Sequence, residues 1–212
     1  MDLQTAHSKF RERITDIKRF CSTGSPLVFV LASAYLDYLA KLSPGKDDHA
    51  KGYKDFITDW LSKVRPGYVS FRFRCGKADL PVQMYHVLRC GILHSFSLIP
   101  DEMARERGGR DRSIVLFHRK ESQERDFSHL SNYADSKAAA FSSTVITSGS
   151  FSHLSNPTDS ETPDAAVFVA EDFVEDIEKV MEMLFAEAEN NPELKASMET
   201  WLQQHPLITG SP

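Results

Sequence analysis

The chain has 212 residues, of which 41% are hydrophobic and 26% charged, and its net charge is −5. This composition predicts one folded domain over residues 1–212 and excludes a disordered chain or a globally basic protein. The charge is uneven, because residues 63–125 hold 13 Lys and Arg against 7 Asp and Glu, whereas the remainder holds 12 against 23. A basic middle between acidic ends is compatible with an anionic partner.

In chain order, three amphipathic or apolar helices are expected first. Residues 3–21 carry apolar side chains at alternating spacings of four and three, and this pattern predicts a helix that ends near Gly24. Ser25 and Pro26 then precede an apolar run over residues 27–42, which predicts a central helix interrupted only by Asp37 and Lys41. A third helical stripe runs over residues 53–64 and ends at Arg65-Pro66-Gly67.

Residues 80–98, LPVQMYHVLRCGILHSFSL, predict the helix around which the domain is organised. Pro81 suits the first turn of this helix, and Pro100 marks its end. One broad face is apolar, while the opposite side carries Arg89, His86 and His94. An Arg and two His on a mostly buried helix need partners, because burying unpaired charge is costly.

Two short strands are predicted after this helix, at residues 114–120 and 165–170, and they are expected to pair as a hairpin. Between them, residues 121–164 have the polar, Ser-rich composition of a long loop or insertion. The C-terminal part predicts an amphipathic helix over 173–185, with a solvated acidic outer face. A last helix is predicted to be capped by Asn191 and opened by Pro192.

The predicted loop contains an internal repeat, because Phe-Ser-His-Leu-Ser-Asn occurs at residues 127–132 and again at 151–156. Six identical residues indicate a local duplication that forms two similar turns or edge strands. The alternative is that His129 and His153 pair as metal ligands, although no Cys, Asp or Glu stands beside them at ligand spacing.

Several classes of protein are disfavoured by what the sequence lacks. It has no GxxxxGK[ST] or GxGxxG loop, no HExxH and no GxSxG, so we expect neither cofactor nor metal. Its three cysteines are far apart and form no CxxC pair, which indicates a reduced, cytoplasmic setting. The N-terminus is unlike a signal peptide and residues 26–42 are too short and polar for a membrane span, so no membrane partner is expected.

Residues 89–94 read Arg-Cys-Gly-Ile-Leu-His, an Arg-x4-His motif in the second half of the long apolar helix. In this context, MYHVLRCGILHSF, the chain resembles the HEPN superfamily, whose signature is Arg-x(4–6)-His in such a helix. The resemblance covers residues 1–100 and the C-terminal helices. One position departs from it: the residue after the Arg is typically polar in that family, and here it is Cys90.

The resemblance implies a mainly α fold, namely a HEPN-like helical bundle with a small β-hairpin insertion. It implies a metal-independent endoribonuclease or RNA-binding effector, with Arg89 and His94 as catalytic residues and no cofactor. Relatives usually act as homodimers and often serve in bacterial defence or toxin–antitoxin systems. The expected partners are therefore a second copy, RNA or a nucleotide, and a protein antitoxin.

Helix geometry leaves the role of this pair open. Five residues turn a side chain by about 140° around an α-helix, so Arg89 and His94 would not share one stripe. His86 lies between them on the polar side, and Asp37 is the expected acidic support. The alternative is that Arg89 and His94 are core-edge residues that pair with carboxylates such as Asp37.

Four further arginines are candidates for contacts with nucleic acid. Arg72 and Arg74 alternate with apolar residues in a segment predicted to be extended, and Arg110 and Arg112 lie in the Gly-containing loop DEMARERGGRDRS. For both pairs the alternative, which the pattern alone favours, is solvated surface charge. Two other functions also stay open: a non-catalytic HEPN-like dimerisation, nucleotide-binding or protein-binding module, and a structural helical domain of a larger complex.

Overall fold

The computed structural model describes residues 1–43, 49–74, 79–92, 113–135 and 164–205. In this part of the chain the protein is mainly α-helical, as the sequence predicts. Helix α1 (Leu3–Ser22) begins after Asp2, whose carboxylate accepts the backbone N–H of Thr5 at 2.8 Å. Helix α2 is Leu27–Leu42, and α3 begins as His49–Phe56, continues as a π-helix over Ile57–Leu61 and ends with Ser62–Val64.

The remaining elements complete the chain order. The short helix α4 is Gly67–Ser70, and α5 begins as Leu80–Met84 and continues as a π-helix over Tyr85–Ile92. Strand β1 (Ile114–Phe117), helix α6 (Arg119–Glu124) and strand β2 (Ala166–Val169) come next. Helices α7 (Ala170–Asn190) and α8 (Pro192–Gln204) are the last elements of the described chain, and Asn191 caps α8 as predicted.

Helix α2 lies at the centre of the bundle, as its nearly continuous apolar sequence predicts. It contacts α1, α3, the π-helical part of α5, α7 and α8. Leu36 and Leu39 of α2 are fully buried, and Tyr35 of α2 donates its hydroxyl to the Phe10 carbonyl of α1. Because polar side chains on such a helix have few routes to solvent, Asp37 requires a protein partner.

The organising helix differs from the prediction in its hydrogen bonding. Between Tyr85 and Ile92 it is a π-helix, in which residues five apart are joined by hydrogen bonds, rather than an α-helix. Its apolar face is buried as expected through Leu80, Met84, Leu88 and Ile92. Residues 93–98, the predicted end of this helix, lie outside the described residues.

The two predicted strands pair, but the predicted hairpin is wrong. Strands β1 and β2 run parallel, with Ile114 opposite Ala166 and Phe117 opposite Val169. Parallel neighbours need a crossover of a dozen or more residues, which the long segment between them supplies, whereas a hairpin needs an antiparallel pair. The first part of the predicted 121–164 loop is folded: α6 runs to Glu124, and residues 127–133 lie along β2.

The extended segment that carries Arg72 is also shorter than predicted. Residues Gly67–Ser70 form helix α4, because the Ser70 and Phe71 amides donate to the Pro66 and Gly67 carbonyls, and only residues 71–73 follow without helical structure. Across the described ranges, no helix combines the length and the apolar character that crossing a bilayer would take.

Candidate functional site

Arg89 and Asp37 meet where α5 crosses α2. The Arg89 Nε atom lies 3.4 Å from Asp37 Oδ1, and the Lys41 Nζ atom lies 2.7 Å from the other carboxylate oxygen. The side chains of Arg89 and Asp37 are 19% and 14% exposed, so this charge cluster is mostly covered but open at its edge. Two cations therefore share the Asp37 carboxylate at this crossing.

The environment of Arg89 keeps its guanidinium charged. Burial alone would lower the pKa of Arg89, but the Asp37 carboxylate and a hydrogen bond with Cys90 outweigh burial, so the pKa is raised. The guanidinium carbon lies 5.8 Å from the centre of the Tyr85 ring, within the range of a cation–π contact. Arg89 is thus a fixed positive charge held between a carboxylate and an aromatic face.

Two polar groups near this cluster have no hydrogen-bond partner among the described residues: the Tyr53 hydroxyl and His86 Nδ1. Tyr53 is buried, and its ring packs 5.9 Å from the Tyr85 ring, edge to face. Burial, together with the nearby Asp37 charge, raises the pKa of Tyr53, so its hydroxyl stays protonated as a donor. The His86 ring packs at 5.4 Å against Tyr85, edge to face.

The other predicted site residues are placed only in part. His94, Arg110 and Arg112 lie outside the described residues. Arg72 donates to the carbonyls of Val69 and Phe71, and Arg74 forms an ion pair with Asp135. Within the described chain, Arg89 and Asp37 are thus brought together and His86 lies on the same helix as Arg89, whereas Arg72 and Arg74 follow α4.

A second polar cluster, which the sequence did not predict, is buried between α4, β2 and α7. Arg65 donates to both carboxylate oxygens of Asp176, from Nε at 2.7 Å and from Nη2 at 3.0 Å. The Tyr68 hydroxyl donates to Asp176 Oδ2 at 3.0 Å and lies 3.1 Å from His129 Nε2. The side chains of His129 and Asp176 are only 2% and 1% exposed.

The tautomer of His129 is determined by these contacts. Its Nδ1 atom accepts the Val169 backbone N–H at 3.0 Å, so the ring proton lies on Nε2 and is donated to the Tyr68 oxygen. Burial, and secondarily the Arg65 charge, lower the pKa of His129 to about 3. A neutral His129 completes a chain of satisfied hydrogen bonds that fixes residues 127–132 to the core.

This arrangement argues against the metal-ligand alternative for His129. Both of its ring nitrogens are engaged by protein groups, and a metal ligand needs a free lone pair. No group of three or more His, Cys, Asp or Glu side chains able to hold a metal occurs among the residues that the structure describes.

The buried His129 predicts a loss of stability in acid. The unfolded chain binds a proton at this histidine below about pH 6.5, whereas the folded chain does so only near pH 3. The free energy of unfolding is therefore expected to fall by about 1.4 kcal/mol per pH unit as the pH drops through this window. Urea unfolding of the unaltered chain between pH 3 and 7 should show this extra slope, and the His129→Gln chain should lack it. Equal slopes would contradict the prediction.

Asp37 is expected to stabilise the fold through Arg89 and Lys41. Asp37→Ala removes the shared carboxylate and leaves two neighbouring cations, so we expect a loss of about 1–2 kcal/mol in the free energy of unfolding. Glu178→Ala is the control, because Glu178 pairs with Lys18 at the protein surface and should cost less than about 1 kcal/mol. Equal losses in thermal or urea unfolding would contradict the prediction.

Comparisons of the chain with models of protein families, with curated proteins and with solved structures found no match. The likeness to the HEPN superfamily therefore rests on the Arg-x4-His motif and its helical setting.

Proposed function

We propose that this protein is a metal-independent endoribonuclease, or an RNA-binding effector, of HEPN type, in which Arg89 binds phosphate and His94 carries the proton. The observation that supports this most is the π-helix at Tyr85–Ile92. Departures from α-helical hydrogen bonding are rare and are found frequently at functional sites. Of the two π-helices in the described chain, the one at Tyr85–Ile92 contains the arginine of the motif.

The geometric difficulty of the motif applies to α-helical winding. In an α-helix, Arg89 and His94 would be about 140° apart. A π-helix joins residues five apart by a hydrogen bond, so side chains at that spacing lie on nearly the same side. Arg-x4-His has this spacing, and Arg89 lies within the π-helical segment.

The proposed chemistry needs only these side chains. A neutral histidine takes the proton of a ribose 2′-hydroxyl, and the 2′-oxygen forms a bond to the adjacent phosphorus. The bond from phosphorus to the 5′-oxygen breaks, and a protonated histidine gives its proton to that leaving oxygen. Arg89 stabilises the negative charge that builds on the phosphate oxygens.

In an in-line displacement the attacking 2′-oxygen and the leaving 5′-oxygen lie on opposite sides of the phosphorus, so a base and an acid from two copies of the motif suit this reaction best. We therefore propose a homodimer that brings two copies of the 80–98 segment together. Light scattering at micromolar concentration should give the mass of a dimer. A monomeric mass, from a protein that cleaves no RNA, would count against the homodimer.

The direct test is to incubate the purified protein with mixed RNA in the presence of EDTA. Cleavage should persist, because no step uses a metal, and single-stranded DNA should resist, because it lacks the 2′-hydroxyl. Cleavage that EDTA abolishes, or equal cleavage of DNA, would contradict the proposal.

A second candidate is a non-catalytic HEPN-like module that binds a nucleotide or a protein partner. Two observations favour it: the residue after Arg89 is Cys90 rather than a polar residue, and Arg89 is held by Asp37 with only 19% of its side chain exposed. Binding of RNA or of a nucleotide without cleavage would support this candidate. A protein that binds neither would favour a structural role in a larger complex.

A further inference from the structure

The contact between Arg89 and Asp37 is long compared with the Arg65–Asp176 pair of the same chain. Arg89 Nε lies 3.4 Å from Asp37 Oδ1, at the outer limit of a hydrogen bond. Arg65, by contrast, donates to both oxygens of Asp176, at 2.7 and 3.0 Å. The close contact of Asp37 is with Lys41, at 2.7 Å. Asp37 is therefore held firmly by Lys41 and only loosely by Arg89.

A buried hydroxyl beside this pair has no partner among the described residues. Tyr53 on α3 is only 1% exposed, and its hydroxyl makes no hydrogen bond there. Leaving a buried hydroxyl unpaired costs free energy, because its hydrogen bonds with water are lost without replacement. Such a group is expected to find its partner in a second arrangement of the side chains around it.

Tyr53 lies next to both members of the pair. Its ring packs edge to face on Tyr85 with ring centres 5.9 Å apart, and the Arg89 guanidinium carbon lies 5.8 Å from the centre of the same Tyr85 ring. Burial is the main reason that the pKa of Tyr53 is raised; the Asp37 charge raises it further, and the Arg89 charge opposes this. Both charged groups therefore act on the hydroxyl from nearby.

We propose that Tyr53 is a positioning residue whose hydroxyl takes over Asp37 when Arg89 turns from Asp37 to a phosphate. This inference rests on the proposed function, in which Arg89 binds phosphate. In the resting arrangement Asp37 contacts Arg89 and Lys41. In the engaged arrangement Asp37 Oδ1 accepts the Tyr53 O–H, while Lys41 keeps the other carboxylate oxygen.

The exchange makes Arg89 available at a lower cost. Asp37 is mostly buried, and a buried carboxylate that loses a partner without replacement is unfavourable. A hydroxyl that donates to a carboxylate forms one of the stronger types of hydrogen bond. The affinity of Arg89 for phosphate therefore depends on Tyr53, although Tyr53 itself does not touch the phosphate.

The first test needs neither RNA nor phosphate. Arg89→Ala removes the resting partner, so Asp37 should then bind Tyr53. Tyr53→Phe should leave the urea midpoint of the wild type unchanged or higher, since the hydroxyl is unpaired there. In the Arg89→Ala chain, the same change should lower the equilibrium constant of folding about tenfold or more. An equal effect of Tyr53→Phe in both chains would overturn the proposal.

Two further variants show whether the coupling belongs to Tyr53. Tyr35→Phe removes a buried hydroxyl that donates to the Phe10 carbonyl, so it should lower stability equally with and without Arg89. Ser33→Ala removes a second buried hydroxyl that has no partner in the described chain, one turn before Asp37 on α2. If Ser33→Ala, and not Tyr53→Phe, is costly only in the Arg89→Ala chain, Ser33 is the donor and the proposal is wrong.

The second test follows the NMR signal of the Tyr53 ζ-carbon in the wild-type protein as inorganic phosphate is added. This signal should shift as phosphate binds, because the hydroxyl begins to donate to a carboxylate, and it should not shift in Asp37→Ala. Tyr53→Phe should weaken the affinity for phosphate about tenfold in the wild type and leave it unchanged in Asp37→Ala. A Tyr53 signal that stays still while the Arg89 Nε–H signal responds to phosphate would overturn the proposal.

The two tests separate this inference from the proposed function. If the Arg89 Nε–H signal ignores phosphate but Tyr53→Phe is costly only without Arg89, the proposed function fails and the pairing of Asp37 with Tyr53 stands. If Arg89 responds to phosphate and Tyr53→Phe has the same effect in both chains, the exchange is wrong and the proposed function stands.

Discussion

His94→Ala is expected to lower the rate of RNA cleavage by about 10²–10⁴-fold, because the group that carries the proton is lost. Arg89→Ala should lose a similar factor through the missing charge at the phosphate. Arg89→Lys keeps the charge but not the planar fork of donors, so it should restore activity only in part. The measurement is the initial rate on a defined RNA in EDTA, at equal protein concentration.

Two surface variants control for loss of charge and of imidazole elsewhere. Arg19→Ala removes an exposed arginine of α1, and His205→Ala removes the histidine after α8. Both should cleave at the wild-type rate. If His94→Ala and Arg89→Ala cleave as fast as these controls, the motif is not the active site. If they lower the melting temperature by many degrees and no variant or parent cuts RNA, the pair is structural.

Asp176→Ala is expected to lower the free energy of unfolding by about 2–3 kcal/mol, because it removes the acceptor of the buried Tyr68 hydroxyl and of the half-buried Arg65 guanidinium. The Arg65 guanidinium and the Tyr68 hydroxyl both lose their acceptor. The Tyr68 hydroxyl, which also contacts His129, is then no longer oriented by Asp176. Urea unfolding followed by circular dichroism would measure the loss.

Glu175→Ala is the matched control, since Glu175 precedes Asp176 on α7 and pairs with Lys179 on the exposed side. It should cost no more than about 0.5 kcal/mol, the usual value for an exposed pair four residues apart. Similar losses for Asp176→Ala and Glu175→Ala would show that the buried cluster does not anchor the fold.

The sequence predicted the helices whose apolar spacing is strong. Helix α1, the central position of α2 and the Asn191–Pro192 start of α8 are confirmed, because each has either a complete stripe or a specific cap. The strands at β1 and β2 were predicted from their β-branched and apolar residues, but their direction was not. Local sequence does not encode which way two strands run when a long segment separates them.

The spacing of apolar residues could not predict the π-helix at Tyr85–Ile92. Apolar residues at three and four spacing fit an α-helix, and a single wider turn leaves most of that pattern unchanged. The Asp37 contact was anticipated for a physical reason: an acid on an otherwise apolar helix requires a donor, and Arg89 supplies one at 3.4 Å.

The buried cluster was missed because α7 was interpreted as having a solvated acidic face. Asp176 lies three residues after Phe173 and four before Val180, so it belongs to the apolar stripe and not to that face. The position of Asp176 within the apolar stripe could have predicted that its side chain is buried. The partners Arg65 and His129 lie far away in sequence, and only the folded chain brings them to Asp176.

The most direct test of the central proposal is the chemistry of the RNA ends. Attack by the 2′-oxygen leaves a 2′,3′-cyclic phosphate on one product and a 5′-hydroxyl on the other, and EDTA should change neither the rate nor these ends. We expect this pair of ends, and no cleavage where the 2′-hydroxyl at the cut site is replaced by hydrogen. Products that carry a 5′-phosphate, or an RNA that stays intact with the wild-type protein, would contradict the proposal.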